Sequence, residues 1–312
     1  MNTTLQEQIK ETLSELNQVV LGKQQQIHLA LTCILANGHL LVEDLPGMGK
    51  TTLAHALSNV LGLDYKRVQF TSDLLPADLI GASVFNPKSA SFSFHKGPVF
   101  SSVFLADELN RATPKSQSAL LEAMEEGQVS VDGHTYPLPQ PFFVIATQNP
   151  QSQSGTFPLP ESQLDRFMMR ISLGYPDQNV ERELLKGNSG RSALNTVKQI
   201  LGKDSLVEIQ KQVNEVSTSD ILLDYVQRLI AQTREDDLCQ LGLSPRGAIA
   251  LVKASKCWAL IQGRSHVLPE DVQAVFVALV GHRIIGKKET QGDQLARHIL
   301  QVVDAIGEGV SA

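Results

Sequence analysis

No stretch of the 312-residue chain approaches the roughly 18 consecutive apolar residues that a membrane-spanning helix requires. Met1 to Lys10 is polar where a secretory leader would carry an apolar core, so the expected compartment is the cytoplasm. Cysteine is scarce. Cys33, Cys239 and Cys257 make an odd count with no C-x-x-C pair, which argues against a disulfide framework and a cysteine zinc site. They read as small buried apolar residues. Positive charge is also in deficit, with 27 Lys and Arg against 33 Asp and Glu for a net of −6. Residues 1–175 hold 11 basic and 16 acidic side chains, and residues 176–312 hold 16 and 17. Neither half is the basic surface that many contacts to nucleic-acid phosphates demand, so nucleic acid is disfavoured as a partner. What is present is a globular composition, 42 % apolar and 19 % charged, at a length that fits about two domains.

Aromatic residues divide the chain, because ten of its eleven phenylalanines lie at or before Phe167. The first half alternates short apolar runs with helical stretches: His39 to Val42, Arg67 to Phe70, Ser102 to Leu105, Phe142 to Ala146 and Phe167 to Leu173. Such alternation predicts a parallel α/β sheet. The second half shows helical periodicity nearly throughout, for example Ile221, Tyr225, Leu229 and Ile230 behind the capping cluster Ser217 to Asp220. It reads as an all-helical domain. The turn Gly174-Tyr175-Pro176-Asp177 sets the boundary, giving residues 1–175 and 176–312, with Asp177 or Asn179 placed to cap the next helix.

Chemistry enters after the first apolar run. Asp44-Leu45-Pro46-Gly47-Met48-Gly49-Lys50-Thr51-Thr52 precedes a helical stretch and meets the phosphate-loop pattern G-x-x-x-x-G-K-S/T, except that Asp44 replaces the first glycine. Pro46, Gly47, Met48, Gly49, Lys50, Thr51 and Thr52 would cradle phosphates at the positive end of the helix. Lys50 would reach the β- and γ-phosphates, and the Thr51 hydroxyl would ligate magnesium. The run Val103 to Ala106 ends in Asp107 and Glu108. Asp107 falls at the carboxyl edge of a strand as the second magnesium ligand, and Glu108 can polarise a water for attack on the γ-phosphate. Thr113-Pro114 opens a helix that stops at Gly127, and Asp132-Gly133 centres a hairpin over about 128–138. Asn149 follows the run Phe142 to Ala146, where it could orient the attacking water or simply begin an Asn-Pro turn.

Five stretches together carry a resemblance: Gly38 to Thr51, Leu105 to Ala112, Ala146 to Pro150, Leu164-Asp165-Arg166-Phe167 and Leu243-Ser244-Pro245-Arg246. The chain resembles an AAA+ ATPase and, within that superfamily, the MoxR family, which also writes its phosphate loop with an acidic residue at the position of Asp44. The resemblance implies a five-stranded parallel sheet followed by an all-helical lid, a hexameric ring with ATP and magnesium between neighbours, and ATP hydrolysis. Lys50 and Thr51 would be Walker A, Asp107 and Glu108 Walker B, Asn149 sensor 1, Arg166 the arginine finger and Arg246 the sensor 2 arginine. Arg170 is the alternative finger. The competing reading of Arg166 is a surface ion pair with Asp165 or Glu161. Residues about 81–97 resemble the family's helix 2 insert, which together with the 128–138 hairpin faces either a client or its own domain. The implied function is chaperone-like remodelling, activation or assembly of a partner protein, which in this family often carries a von Willebrand factor A domain. The alternatives are a metal chelatase motor subunit and a nucleotide-gated switch with negligible turnover.

Overall fold

The computed structural model describes residues 3–88, 90–149, 155–186, 194, 196–287 and 290–305. Ser89 of the expected 81–97 insert and Pro150 of the Asn-Pro pair lie outside them. All five expected strands form: β1 (Leu40–Glu43), β2 (Tyr65–Gln69), β5 (Val103–Asp107), β8 (Phe143–Gln148) and β9 (Met169–Ile171). They make one parallel sheet in the order β2-β5-β8-β1-β9. Strands β5 and β8 are buried along their whole length, as parallel strands covered on both faces must be. Their side chains alternate between two cores. Leu40, Val42, Val103, Leu105 and Ile145 face the cluster built on α1 (Thr3–Val19), α2 (Gln24–Leu35) and α3 (Lys50–Val60). Leu41, Phe104, Ala106, Val144 and Ala146 face the other, closed by α5 (Pro114–Glu126).

Two strands run two residues further than the apolar pattern marks, because their polar ends pair in register: Gln69 lies opposite Asp107 and Glu43 opposite Gln148. The last strand is shorter than Phe167 to Leu173, since the Phe167 N–H still closes a turn onto the Leu164 carbonyl at 3.1 Å. Before the third sheet strand, α4 (Pro76–Ile80) leads into a ribbon of β3 (Gly81–Asn86) and β4 (Ser91–Lys96). The Asp132-Gly133 turn joins β6 (Gln128–Val131) to β7 (His134–Pro137), with both turn residues at positive φ. The ribbons meet where Phe94 stacks on Tyr136 at 4.1 Å between ring centroids, while Phe85 and Phe92 remain exposed.

After the sheet, α6 (Glu161–Leu164) has already turned the chain into β9, and α7 (Gln178–Leu185) begins with Asp177 accepting the Val180 N–H. Then come α8 (Lys203–Glu215), α9 (Asp220–Glu235), α10 (Pro245–Ile261), α11 (Pro269–Val280) and α12 (Gly292–Val302). The region is not wholly helical: β10 (Cys239–Leu241) pairs antiparallel with β11 (Ile285–Gly286). Strands this short leave no period in the sequence. On α9 Tyr225 and Leu229 are buried as expected, but Leu222 takes the buried place expected for Ile221, which is 72 % exposed. All three cysteines are buried and free. The α1–α2 core cluster continues without a break into α8, α10 and α11. Among the described residues no helix is long and apolar enough to cross a membrane.

His39, at the mouth of β1, ties three elements together. Its Nδ1 accepts the Val144 N–H (3.0 Å) and its Nε2 donates to the Met124 carbonyl (3.2 Å), which fixes a neutral tautomer. Burial pushes the imidazole down to about 4. Burial also holds His282 well below its ordinary value. The unfolded chain takes up a proton near pH 6.5 that the native His39 refuses until about pH 4. The stabilisation is therefore complete above about pH 6.5 and is lost as pH falls toward 4, by about 3 kcal/mol for His39. Urea unfolding of His39→Gln should accordingly show a shallower loss of stability across this window than the parent chain. Equal slopes in the two proteins would remove His39 as the cause.

Candidate functional site

The carboxyl ends of β1, β5 and β8 open on a cleft of about 650 Å³. At its floor Gly47 and Gly49 have φ of 85° and 91°. A Cβ at either position would meet nothing within 4 Å, so glycine is needed for the left-handed backbone and not for space. Gly49 caps α3 without a side-chain hydrogen bond, so the N–H groups of the helix start have no side-chain cap there, an arrangement that suits an anion. Asp44 shows why its position tolerates an acid. Its carboxylate accepts the Gly174 N–H (2.6 Å), the Ser172 hydroxyl (3.1 Å) and its own neighbour's Leu45 N–H (2.8 Å), tying the loop to the chain beyond β9.

Lys50 is buried, and its Nζ donates to the Asp44 carbonyl (2.6 Å) and to Asn149 Oδ1 (2.9 Å). Desolvation pulls the ammonium pKa down, and the carboxylates of Asp44, Asp107, Glu108 and Glu43 oppose that shift. The Asn149 amide in turn donates to Glu108 Oε1 at 3.2 Å. Lys50, Asn149 and Glu108 thus form one hydrogen-bonded series. Glu108 has φ 56°, a conformation that L residues seldom adopt, and its N–H is held by Thr147 Oγ1 at 2.9 Å. The same hydroxyl donates to Asp107 Oδ1 at 2.6 Å. Arg67 from β2 donates twice to Asp107 Oδ2, at 2.7 and 3.0 Å. A carboxylate offers about four lone-pair sites, so acceptor capacity remains. Thr51 and Asp107 line the same cleft with a hydroxyl and a carboxylate, the hard oxygen donors that suit magnesium beside phosphate oxygens. Val19, Val20, Leu21, Pro176, Val180 and Leu184 supply the apolar part of the lining.

Arg166 and Arg246 are elsewhere. They line a second cleft of about 220 Å³ and converge on Glu125 near the end of α5. Arg166 pairs with Glu125 Oε2 at 2.8 Å, not with Asp165 or Glu161, and Arg246 holds the other oxygen. The hydrogen bond from Arg246, assisted by Arg166, keeps the Glu125 carboxyl below the usual range. Arg246 therefore does not reach its own chain's Lys50 cleft. Arg170 is engaged within the chain, between Glu43 (3.0 Å) and Asp293 at the start of α12.

Residues 39–169 match the ATPase family associated with various cellular activities (AAA), and residues 231–301 match the AAA lid domain. Over 305 residues the chain is 36 % identical to Chaperone MoxR1 of Mycobacterium tuberculosis, covering 94 % of this chain and 79 % of that one. The chain belongs to the MoxR family of AAA+ ATPases. It is also 42 % identical to the uncharacterized protein YeaC of Bacillus subtilis, over 94 % of this chain and 93 % of that one. The crystal structure of a Cytophaga hutchinsonii protein superposes with a TM-score of 0.87 at 40 % identity, covering 96 % of this chain and 95 % of that one.

Several residues of this MoxR-family site carry no signal in the motifs alone. Thr147, Asn110 and Arg111 lie inside the matching stretches without an assigned part. Asn110 donates to the Asn149 carbonyl (3.1 Å), and Arg111 pairs with Glu108 Oε2 (3.0 Å). Arg67 becomes legible only once β2 is known to lie beside β5, because Gln69 is the register partner of Asp107 and Arg67 shares its face. Glu125 has no motif at all.

Proposed function

We propose that the protein binds magnesium ATP in the Lys50 cleft, hydrolyses it, and couples hydrolysis to remodelling or assembly of a partner protein. The observation that carries this reading is the series Lys50–Asn149–Glu108, which links a phosphate-charge partner to a carboxylate able to polarise water. Thr51 and Asp107 would hold the magnesium ion, which supplies charge neutralisation at the transferring phosphate when bound. Pro46 to Thr52 enclose the phosphates, and Asn149 orients the attacking water. Arg166 and Arg246 act on the nucleotide of a neighbouring chain, because both lie away from their own cleft at a shared, solvent-accessible carboxylate. That arrangement calls for a closed ring, for which six chains is our reading. Residues 1–175 form the nucleotide-binding unit and 176–312 the lid. The exposed Phe85 and Phe92 on the β3–β4 ribbon face the client, for which a von Willebrand factor A domain protein is the favoured class.

The test is capture from native cell extract with Glu108→Gln held in ATP, followed by phosphate release from the wild-type chain with and without the captured protein. Stimulated steady turnover supports the reading. Turnover no higher than that of Lys50→Ala, with or without the captured protein, would leave a nucleotide-gated switch. Metal insertion with a chelatase partner would favour the chelatase motor.

A further inference from the structure

Arg283 follows α11 and is buried, with its guanidinium spent entirely on one neighbourhood. Nε donates to Asp165 Oδ1 (2.7 Å), Nη2 to the carbonyls of Phe167 (2.6 Å) and Asp165 (3.2 Å), and Nη1 to the carbonyls of Met168 (2.9 Å) and Leu279. All five donor directions of a guanidinium are thereby used. Three of the carbonyl acceptors belong to the residues that flank Arg166 on either side. The segment that presents Arg166 is wrapped around one buried cation.

The same cation reaches the base of α10. Asp165 also accepts the Ser244 hydroxyl at 3.3 Å, and Ser244 caps α10 by accepting the Gly247 N–H at 3.0 Å, so the capping turn encloses Arg246. The Arg283 stem passes against that turn. A Cβ at Gly247 would stand 3.1 Å from Arg283 Cδ and 2.5 Å from Leu243 Cδ1, so a larger residue there would have to displace both side chains. Buried ion pairs are poor stabilisers compared with apolar residues of similar volume, yet a multiply bonded one fixes a single geometry. Arg166 and Arg246 leave this hub in directions that meet at Glu125.

We infer that Arg283, with Asp165 and Ser244, is a positioning residue that aims Arg166 and Arg246 together at a neighbouring chain's nucleotide. The inference rests on the proposed action of those arginines between chains and adds what sets their direction. Loss of aim by about an ångström can cost about a hundredfold in rate without touching substrate affinity. Arg283→Met should therefore lower kcat about ten- to a hundredfold while the KM for ATP stays within about twofold, since the Lys50 cleft is intact.

Mixing experiments separate positioning from support of the whole fold. Arg283→Met mixed with Lys50→Ala should regain turnover, because some junctions join a sound loop to sound arginines. Mixed with Arg166→Ala it should regain none, because both chains then lack a working arginine face. Any other pattern overturns the inference, provided that the control mixture of Arg166→Ala with Lys50→Ala does regain turnover. If that control stays inactive, action between chains fails and this inference falls with it. Should Arg283→Met not fold by circular dichroism, Ser244→Ala cuts the same hub at its edge. It is expected to give the same mixing pattern with a smaller loss, and a Ser244→Ala chain with unchanged kcat would overturn the inference.

Discussion

Glu108→Gln should retain ATP and release almost no phosphate, while Lys50→Ala should fail at the earlier step of holding the nucleotide. The two residues are joined through Asn149 by two hydrogen bonds, so proximity alone would suggest similar defects. Their chemistry separates them. Glutamine keeps the volume of Glu108 and can still accept from the Asn149 amide, but it cannot take a proton from water. General-base assistance is worth about 10² to 10⁴ in rate, and that is the expected loss in kcat, with ATP affinity nearly unchanged. Alanine at position 50 instead removes a buried cation from the phosphate site, and with it the Lys50 hydrogen bonds to the Asp44 carbonyl and Asn149 Oδ1. Truncating one partner of a buried charge contact costs about 2 to 5 kcal/mol, so the Kd for ATP should rise by at least about 30-fold. Equilibrium binding of a fluorescent ATP analogue and steady-state phosphate release read the two effects separately. Normal turnover by Glu108→Gln would remove that residue from the chemistry.

The second large effect belongs to Arg166. A guanidinium set against charge that develops on a transferring phosphoryl group contributes about 10³ to 10⁵ in rate, whereas an exposed ion pair contributes at most about 1 kcal/mol. Arg166→Ala should thus bind ATP normally and hydrolyse it about a thousandfold more slowly or worse. Mixing it with Lys50→Ala should restore part of the activity. Arg246→Ala should behave in the same way, as the two side chains share Glu125. Arg170→Ala should differ in kind. It breaks the Glu43 and Asp293 contacts that join β1 and β9 to α12, so the expected defect is in unfolding midpoint. Complementation of Lys50→Ala by Arg170→Ala and not by Arg166→Ala would transfer the finger to Arg170.

The parts of this fold that could be read directly are those in which local chemistry dictates local shape. Five apolar runs became five strands, Pro114 and Gly127 bounded α5, and Asp132-Gly133 turned a hairpin. Asp107, Glu108 and Asn149 could be placed at strand ends because polar residues there interrupt apolar runs. What could not be read depends on which distant segments meet. Glu125 and Arg246 are 121 residues apart, and no periodicity or spacing announces that they touch. Nor does any spacing announce that Arg246 lies beside Arg166, the two meeting at one carboxylate. Ile221 was placed on the buried face of α9 because it fits a four-residue spacing with Tyr225, but Leu222 fits the same face one position on and packing selected it.

Asp44 has a mechanical consequence. Two of its three hydrogen bonds run to Ser172 and Gly174, where the chain leaves the sheet for its helical second half, and Gly174 itself has φ 63°. The acid that stands where the phosphate-loop pattern has a glycine thus ties the loop to the point where the chain leaves the sheet. A glycine at position 44 would delete both bonds while leaving the pairing of β1 with β9 in place. With the carboxylate in place, Lys50 and Gly174 are only two hydrogen bonds apart, both made by Asp44. Such a path is short, so a shift of the Lys50 ammonium should reach Gly174 with little slack.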